Sequence, residues 1–368
     1  MLSYRIIAEG LRILMHCQLR RLHGIKKYPG SVEKICSQIV NDCWNQTYLQ
    51  TSVGHFREFY ARDFGWCTKA LLRLGFGQKV CATLKYALSK YQRDGAITVA
   101  ISPGGIPFNF PNVYSPDSVA YLIRSIRLSE DKNIMHTYKS FLQKQVHHFH
   151  KEVIDPKTGI IKQKKHFSSM KDYAIRDASC YDMTMVAMLS NETDLLGLEN
   201  PLRRYDCNDR LVEYYWNKKF FRDDLSGNDY VSSDANLYPF WFGVVKKKKL
   251  RNLALKSIQN AGLDKPFPLK YTNGNANIRE VPFNGVVKNW ELDCIWPHLG
   301  FVYIDIISEF DKKQARKYLD LYSNKIKQLH NFIEVYNPNG TAPYQSLLYH
   351  ADEGMLWASM YLDLVRRI

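Results

Sequence analysis

The 368-residue sequence lacks the short signatures of several common enzyme classes. It has no GxGxxG or GxxxxGK(S/T) phosphate-binding loop, no HExxH zinc-binding helix and no GxSxG nucleophile elbow. These absences argue against the usual nucleotide-binding, zinc-protease and serine-hydrolase architectures. Its eight cysteines form no CxxC pair and have no Cys/His ligand spacing, which favours free thiols in a reducing compartment over a disulfide framework.

Long apolar runs are also missing. No window reaches the roughly 18 uncharged apolar residues that a membrane-spanning helix needs. The first stretch carries Arg5, Glu9 and Arg12 within its apolar pattern and has no small-residue cleavage site, unlike a signal peptide. The sequence therefore predicts a cytoplasmic protein without a membrane partner.

Positive charge, in contrast, is in excess: 51 Lys and Arg against 36 Asp and Glu give a net charge of +15. Lysine-rich runs at 162–166 and 246–249 are not interleaved with aromatic residues, and no nucleic-acid-binding module follows them. We interpret them as a solvated basic face and expect no specific nucleic-acid partner. His147, His148 and His150 point in different directions on a helix, so we expect no metal site.

The apolar spacing is mainly that of helices, and strand signals are few, the best being 96–101. Helices are predicted at 3–23, 31–44, 61–75, 78–93, 116–128, 132–152, 179–196, 206–221, 230–245, 248–261, 289–309, 311–331 and 346–367. No Ser- or Pro-rich linker divides the chain. This pattern favours an all-α fold, an (α/α)6-type toroid of paired antiparallel helices, over two domains, and it leaves helical bundles and stacked repeats open. Residues 1–368 would form a single domain, with residues 1–50 packing on the toroid or completing it.

The segment 54–66 (GHFREFYARDFGW) concentrates charged and aromatic side chains at the start of a predicted helix. Asp63 suits an N-cap, where the helix dipole stabilises a carboxylate. Alternatively, Arg62 and Asp63 hydrogen-bond sugar hydroxyls while Trp66 closes the pocket. Aromatic residues make up 13% of the chain, and their rings serve both as core and as platforms for sugars.

Four segments, in order along the chain, resemble the signature segments of the six-hairpin glycosidases, which include processing alpha-glucosidases, mannosylglycerate hydrolases, trehalases and amylo-glucosidases. The segments are ARDFGW at 61–66, SPDS at 115–118, WELDCIWPHLG at 290–300 and FIEVYNPNG at 332–340. The resemblance implies an (α/α)6 toroid that hydrolyses glycosides with inversion, using two carboxylates and no cofactor. It covers most of the chain at weak identity.

The resemblance also implies roles for individual residues. Glu334 matches the general base, with Asp352 and Glu353 as rivals. The segment 168–173 (SSMKDY) is similar to the one that carries the general acid, which makes Asp172 the first choice. Lys171 stands where the family has an acidic residue, and a lysine beside Asp172 would lower its pKa.

Asp177 and Asp182 remain competitors for the acid, or turn and cap residues, and Asp234 suits a helix cap. The expected sugar-binding residues are Arg62, Asp63, Trp66, Asp117, Arg176, Asp177, Asp182, Trp290 and Trp296.

Two other functions stay open at this stage. A sugar epimerase or polysaccharide lyase on the same toroid would use His or Tyr, and His55, His298 and His350 are available. A non-catalytic carbohydrate- or nucleic-acid-binding protein would use the basic surface. The oligomeric state cannot be read from the sequence.

Overall fold

The computed structural model describes residues 4–274, 276, 278, 280 and 287–368. Within them the helices are α1 (Tyr4–His23), α2 (Val32–Asp42), α3 (Ala61–Arg73), α4 (Gly77–Asp94), α5 (Pro116–Ser129), α6 (Lys132–Val153), α7 (Cys180–Leu195), α8 (Cys207–Tyr215), α9 (Ser233–Trp241), α10 (Lys248–Asn260), α11 (Pro297–Ser308), α12 (Lys312–Leu329) and α13 (Ala358–Arg367). Three two-residue strands, β1 (Phe59–Tyr60), β2 (Ala100–Ile101) and β3 (Pro107–Phe108), form one antiparallel sheet.

Six of these helices close into a ring. In order around it, α3, α5, α7, α9, α11 and α13 each pack against the next, and α13 packs back against α3. Six of the other seven helices, α2, α4, α6, α8, α10 and α12, lie outside, each against at least one member of the ring. The twelve helices α2 to α13 thus alternate between outer and inner positions along the chain, which confirms the predicted (α/α)6 toroid.

Burial separates the two rings. The inner helices are buried on nearly every side: all residues from Cys180 to Ser190 in α7 and from Pro297 to Ile304 in α11 are buried. Outer helices such as α12 bury one stripe and expose the rest. This difference is expected, because a helix that is surrounded by others must be apolar all round, whereas a surface helix is amphipathic.

Local sequence explains several helix boundaries. The side chain of Ser31 caps α2 by accepting a hydrogen bond from the Lys34 amide at 3.3 Å. The predicted helix 289–309 begins only at Pro297, since proline suits the first helical turn and disfavours a helix that continues through it. The predicted helices 206–221 and 346–367 are likewise shorter, ending at Tyr215 and beginning at Ala358.

Other parts of the prediction compare as follows. Helix 3–23 corresponds to α1, with residue 3 outside the described residues. Within the predicted helix 230–245 only α9 is helical, and only the last two residues of the predicted strand 96–101 form β2.

All eight cysteines lie in described parts of the chain and are free thiols. Among the described helices, none combines the length and the apolar character needed to cross a membrane.

The inner helices α3 and α5 approach each other closely at Gly65. Gly65 lies on α3 against Tyr121 of α5, and a Cβ atom placed on Gly65 would lie 2.5 Å from the Tyr121 side chain. A glycine inside a helix is normally unfavourable, by about 0.5–1 kcal/mol relative to alanine. Its presence here follows from the close approach of the two backbones.

We therefore predict that Gly65→Ala destabilises the protein despite the better helix propensity of alanine. Overpacking of this kind costs about 1–3 kcal/mol. Gly77→Ala is the matched control, because a Cβ there meets only Leu72, at 3.9 Å. Urea unfolding of both variants measures the difference, and equal stabilities would show that α3 and α5 are not closely packed at this point.

Candidate active site

A cavity of about 620 Å³ opens at the end of the ring where the inner helices begin. The first turns of α3 and α11 and the residue before α13 reach it through Arg62, His298 and Trp357. Its polar side chains are mostly acidic, and its walls are mostly aromatic. The acidic residues are Glu9, Glu58, Asp63, Asp172, Glu291 and Glu334, and the aromatic ones are Phe56, Tyr60, Trp66, Phe108, Phe110, Tyr173, Tyr271, Trp290, Trp296, Tyr349 and Trp357.

Asp172 stands at the cavity wall with its side chain 28% exposed. One oxygen lies 3.3 Å from Nη1 of Arg62, whose Nε donates to Asp117 at 2.6 Å. Burial raises the pKa of Asp172, while the nearby Arg62 charge opposes that increase. Asp117 does not line the cavity; fully buried, it holds Arg62 in place and accepts further hydrogen bonds from Met170 and Tyr181.

Lys171 does not act on Asp172 as the sequence suggested. Its ammonium group is fully buried on the other side of the loop, 3.2 Å from Asp223, 2.8 Å from Ser232 and 3.5 Å from Asp234. The expectation was wrong because neighbouring side chains in this extended loop point in opposite directions. Arg62, not Lys171, supplies the positive charge beside Asp172.

Glu291 was not recognised from the sequence, yet it organises the loop of Asp172. Its carboxylate accepts backbone N–H bonds from Asp172 at 2.5 Å, Tyr173 at 2.9 Å and Ala174 at 3.1 Å. Burial and the charge of Asp172 raise the pKa of Glu291 to about 8, against the N–H donors, which lower it. The position of Glu291, directly after Trp290 in a segment already singled out, was the only signal available.

Glu334 lines the same cavity and is 2% exposed. Its Oε2 accepts hydrogen bonds from the hydroxyl of Tyr349 at 2.6 Å and the amide of Asp352 at 2.7 Å. Within the described residues Oε1 has no hydrogen-bond partner. Burial, followed by the charge of Asp352, raises the pKa of Glu334 to about 8. This carboxyl group therefore holds a proton more readily than an ordinary glutamate.

The rival bases face away from the cavity lining. Asp352 accepts backbone N–H bonds from His55 and Phe56, both at 2.9 Å, and lies 3.5 Å from Arg20. Glu353 lies 3.3 Å from Arg20 and accepts a hydrogen bond from the Lys26 amide. Both carboxylates fasten α1 and the loop before α3 to the loop before α13.

Three of the expected sugar-binding residues bind other protein groups outside the cavity. Arg176 binds Asp234 at 2.8 Å and, with Lys171, belongs to the buried ion network beneath the loop. Asp177 accepts a hydrogen bond from the Lys164 amide, and Asp182 accepts one from Ser179, the N-cap of α7. None of the three is among the residues that line the cavity.

The interpretation of Asp234 as the cap of α9 was wrong. Ser232 occupies the N-cap position, and Asp234 lies in the first turn, where it pairs with Arg176 and Lys171. A carboxylate in the first turn still benefits from the helix dipole.

Asp63, Trp66, Trp290 and Trp296 do line the cavity. Asp63 lies in the first turn of α3, where Tyr60 is the N-cap, and accepts a hydrogen bond from Trp357 at 2.9 Å. Burial raises its pKa to about 7.

Trp66 stacks on His298 with ring centroids 4.2 Å apart. His55 and His350 lie outside the lining, whereas His298 is part of it. Burial lowers the pKa of His298 well below its ordinary value, so the ring is neutral at pH 7.

Several nitrogen atoms of the cavity lining have no hydrogen-bond partner among the described residues. They are Nη2 of Arg62, Nε1 of Trp290 and Nδ1 of His298, and all three are buried. Buried polar atoms are nearly always paired, so unpaired ones call for an explanation. Their grouping around one cavity is the arrangement expected where a polar ligand supplies the missing partners. Among the described residues, no cluster of three or more side chains suits a metal ion.

No protein-family model and no curated protein sequence matches this chain. Solved structures do. A rhamnosidase from Klebsiella oxytoca with rhamnose bound matches with a TM-score of 0.64 and 11% identity, over 93% of this chain and 66% of that one. A glycosidase variant in complex with glucose matches with a TM-score of 0.63 and 10% identity, over 100% and 98% of the two chains.

A mannosylglycerate hydrolase from Thermus thermophilus in complex with Tris matches with a TM-score of 0.60 and 11% identity, over 91% of this chain and 100% of that one. At 10–11% identity these likenesses concern the fold alone. They confirm the (α/α)6 toroid that the four sequence segments implied.

The buried carboxyl groups of the cavity make stability depend on pH. The folded pKa values of Glu291 and Glu334, about 8, lie above the value of about 4.5 for an ordinary glutamate, so the folded state binds more protons between these limits. The free energy of unfolding should therefore fall from pH 7 to pH 8.5, by about 1–2 kcal/mol for each group.

Urea unfolding at the two pH values measures this dependence. Glu334→Gln should reduce it by about half, because the amide cannot ionise while Glu291 still does, whereas the exposed Glu213→Gln should leave it unchanged. A wild-type protein that is equally stable at both values would contradict the raised pKa of Glu334.

Proposed function

We propose that the protein is a glycoside hydrolase that cleaves with inversion, with Asp172 as general acid and Glu334 as general base. One observation carries the proposal: carboxyl groups 162 positions apart in the sequence line a single sugar-sized cavity with aromatic walls. The solved structures that share its fold include a rhamnosidase, a glycosidase bound to glucose and a mannosylglycerate hydrolase. A sugar is therefore the natural ligand for this cavity.

In the proposed reaction Asp172 donates its proton to the glycosidic oxygen as the bond to the anomeric carbon breaks. Glu334 removes a proton from a water molecule on the other face, and the water oxygen forms the new bond. Inverting enzymes keep the two carboxyl groups about 6.5–9.5 Å apart to leave room for that water. The free Oε1 of Glu334 is the atom proposed to accept the proton.

The same cavity supplies groups for holding the sugar. We assign this role to Arg62, Asp63, Trp66, Trp290 and Trp296, which all line it. The unpaired Nη2 of Arg62 and Nε1 of Trp290 would donate to sugar hydroxyls. Trp66 and Trp296 offer apolar faces, which suit the C–H side of a pyranose ring. Asp117 supports Arg62 from behind.

The alternative enzyme classes have weaker support. An epimerase or lyase would depend on His298, the one candidate histidine that lines the cavity, with the Tyr271 hydroxyl 3.2 Å from its Nε2. A nucleic-acid ligand is disfavoured at this site, since the described part of its lining has six carboxyl groups and a single arginine. We also propose a cytoplasmic location, supported by the eight free thiols.

The first test is a screen of nitrophenyl and oligosaccharide glycosides of glucose, mannose and rhamnose in both anomers. Asp172→Asn and Glu334→Gln should each reduce kcat/KM on the best oligosaccharide substrate of the screen by at least about 10³-fold, while the circular dichroism spectrum stays unchanged. Asp177→Asn is the matched control and should keep activity, because Asp177 lies outside the cavity lining. Retained turnover in Glu334→Gln would remove this residue from the mechanism.

The two roles can be separated by chemical rescue. Asp172→Ala should still hydrolyse a dinitrophenyl glycoside, whose leaving group needs no proton, but not an alkyl glycoside. Glu334→Ala should regain activity with azide, which needs no base and gives a glycosyl azide of inverted configuration. The opposite pattern would exchange the roles, and a product of retained configuration would contradict inversion.

Glu291 should act as a positioning residue for the acid, because it holds the three amides of 172–174. Glu291→Gln replaces one acceptor oxygen by a donor that faces these amides, so kcat should fall about 10-fold or more with KM nearly unchanged. The amides of 172–174 should also exchange hydrogen faster. Equal kcat values with unaltered exchange would show that the loop holds its shape without Glu291.

A further inference from the structure

The cavity divides into two parts according to depth. Its catalytic part is buried: Arg62, Trp296 and Glu334 are each less than a tenth exposed. Its outer part consists of half-buried or exposed apolar side chains from α1, the loop before β1 and the segment of β3. These side chains are Leu11, Ile13, Leu14, Phe56, Phe108, Phe110 and Pro111.

Helix α1 is fixed in position to form this outer wall. Nη1 of Arg12 donates to the His55 carbonyl at 2.8 Å, and its other nitrogens bind Glu9 and Glu58. Further along the helix, the buried Arg20 lies 3.3 Å from Glu353. The ion pairs hold α1 across the entrance, so its apolar side chains contribute to the cavity in the folded protein.

The outer part offers little to a second sugar. Among the described residues of this part, two have carboxyl groups, the half-buried Glu9 and the fully buried Glu58, and each is bound to Arg12 through one oxygen, which leaves Oε2 of Glu58 without a partner. A sugar in this position would have its hydroxyls against leucine, isoleucine and phenylalanine carbon, and unpaired buried hydroxyls are unfavourable. An alkyl or aryl group would instead remove apolar surface from water on both sides of the contact.

We infer that the outer part is a binding site for an apolar leaving group, so that the substrate is a glycoside with an alkyl or aryl aglycone rather than an oligosaccharide. The inference rests on the proposed function. In the reaction, water adds across the bond to the anomeric carbon, and the aglycone leaves as an alcohol or a phenol with the proton from Asp172.

The test uses methyl and octyl glycosides of the sugar that the screen identifies, below micelle-forming concentrations, beside a disaccharide of the same sugar. The wild-type protein should show a kcat/KM at least about 10-fold higher for the octyl than for the methyl glycoside. Leu14→Ser and Phe108→Ser should each reduce this ratio about threefold or more, because they remove apolar carbon from the outer wall.

Leu22→Ser is the matched control, since Leu22 lies on α1 but is 79% exposed and outside the lining. It should leave the octyl-to-methyl ratio unchanged. The same comparison is made by calorimetry with the uncleaved S-octyl and S-methyl thioglycosides, so that binding is measured apart from turnover.

The outcomes distinguish the two proposals. Hydrolysis with an octyl-to-methyl ratio near one, or with the disaccharide preferred, would overturn the aglycone site and leave the hydrolase intact. If no glycoside is cleaved and neither thioglycoside binds, both proposals fail. Binding of the octyl thioglycoside that is weakened equally by all three variants would also overturn the inference, because the effect would not depend on the cavity wall.

Discussion

The closure of α13 against α3 is the constraint on which the remaining structure depends. Once this contact closes the ring of six inner helices, each inner helix must be apolar on nearly all sides. Because inner and outer helices alternate along the chain, all six inner helices run in the same direction. Their N-termini therefore meet at one end of the toroid, where the cavity opens.

This geometry explains why so many carboxylates lie close together. Asp63, Asp117, Asp182 and Asp234 each lie in the first turn of an inner helix, where the positive end of the helix dipole stabilises negative charge. The carboxylates that the ring buries completely form salt bridges with arginine and lysine side chains. On the cavity itself, Asp63 and Glu334 have no salt-bridge partner among the described residues, and burial raises their pKa values instead.

The loop that carries Asp172 shows how the ring and the cavity are joined. Lys171 points inward and binds the carboxylates beneath it, while Asp172 points outward to Arg62, and Glu291 fixes the amides between them. The buried salt bridges below the loop are costly to break singly, because each would leave a charge without a partner. They hold the loop in one conformation rather than add much net stability.

The sequence by itself determined the helices, the absence of a linker and the order of four motif segments, and these were enough to predict the toroid. It did so because apolar periodicity, caps such as Ser31 and prolines such as Pro297 act locally. It also predicted Asp172 and Glu334 as catalytic residues, through resemblance rather than through spacing, and both line the cavity. Only the tertiary structure separated Glu334 from Glu353, turned Lys171 away from Asp172, and brought Glu291 and α1 to the cavity. Those outcomes depend on which way a side chain points in an irregular loop and on which distant segments meet across the ring. Neither property produces a periodic pattern in the sequence.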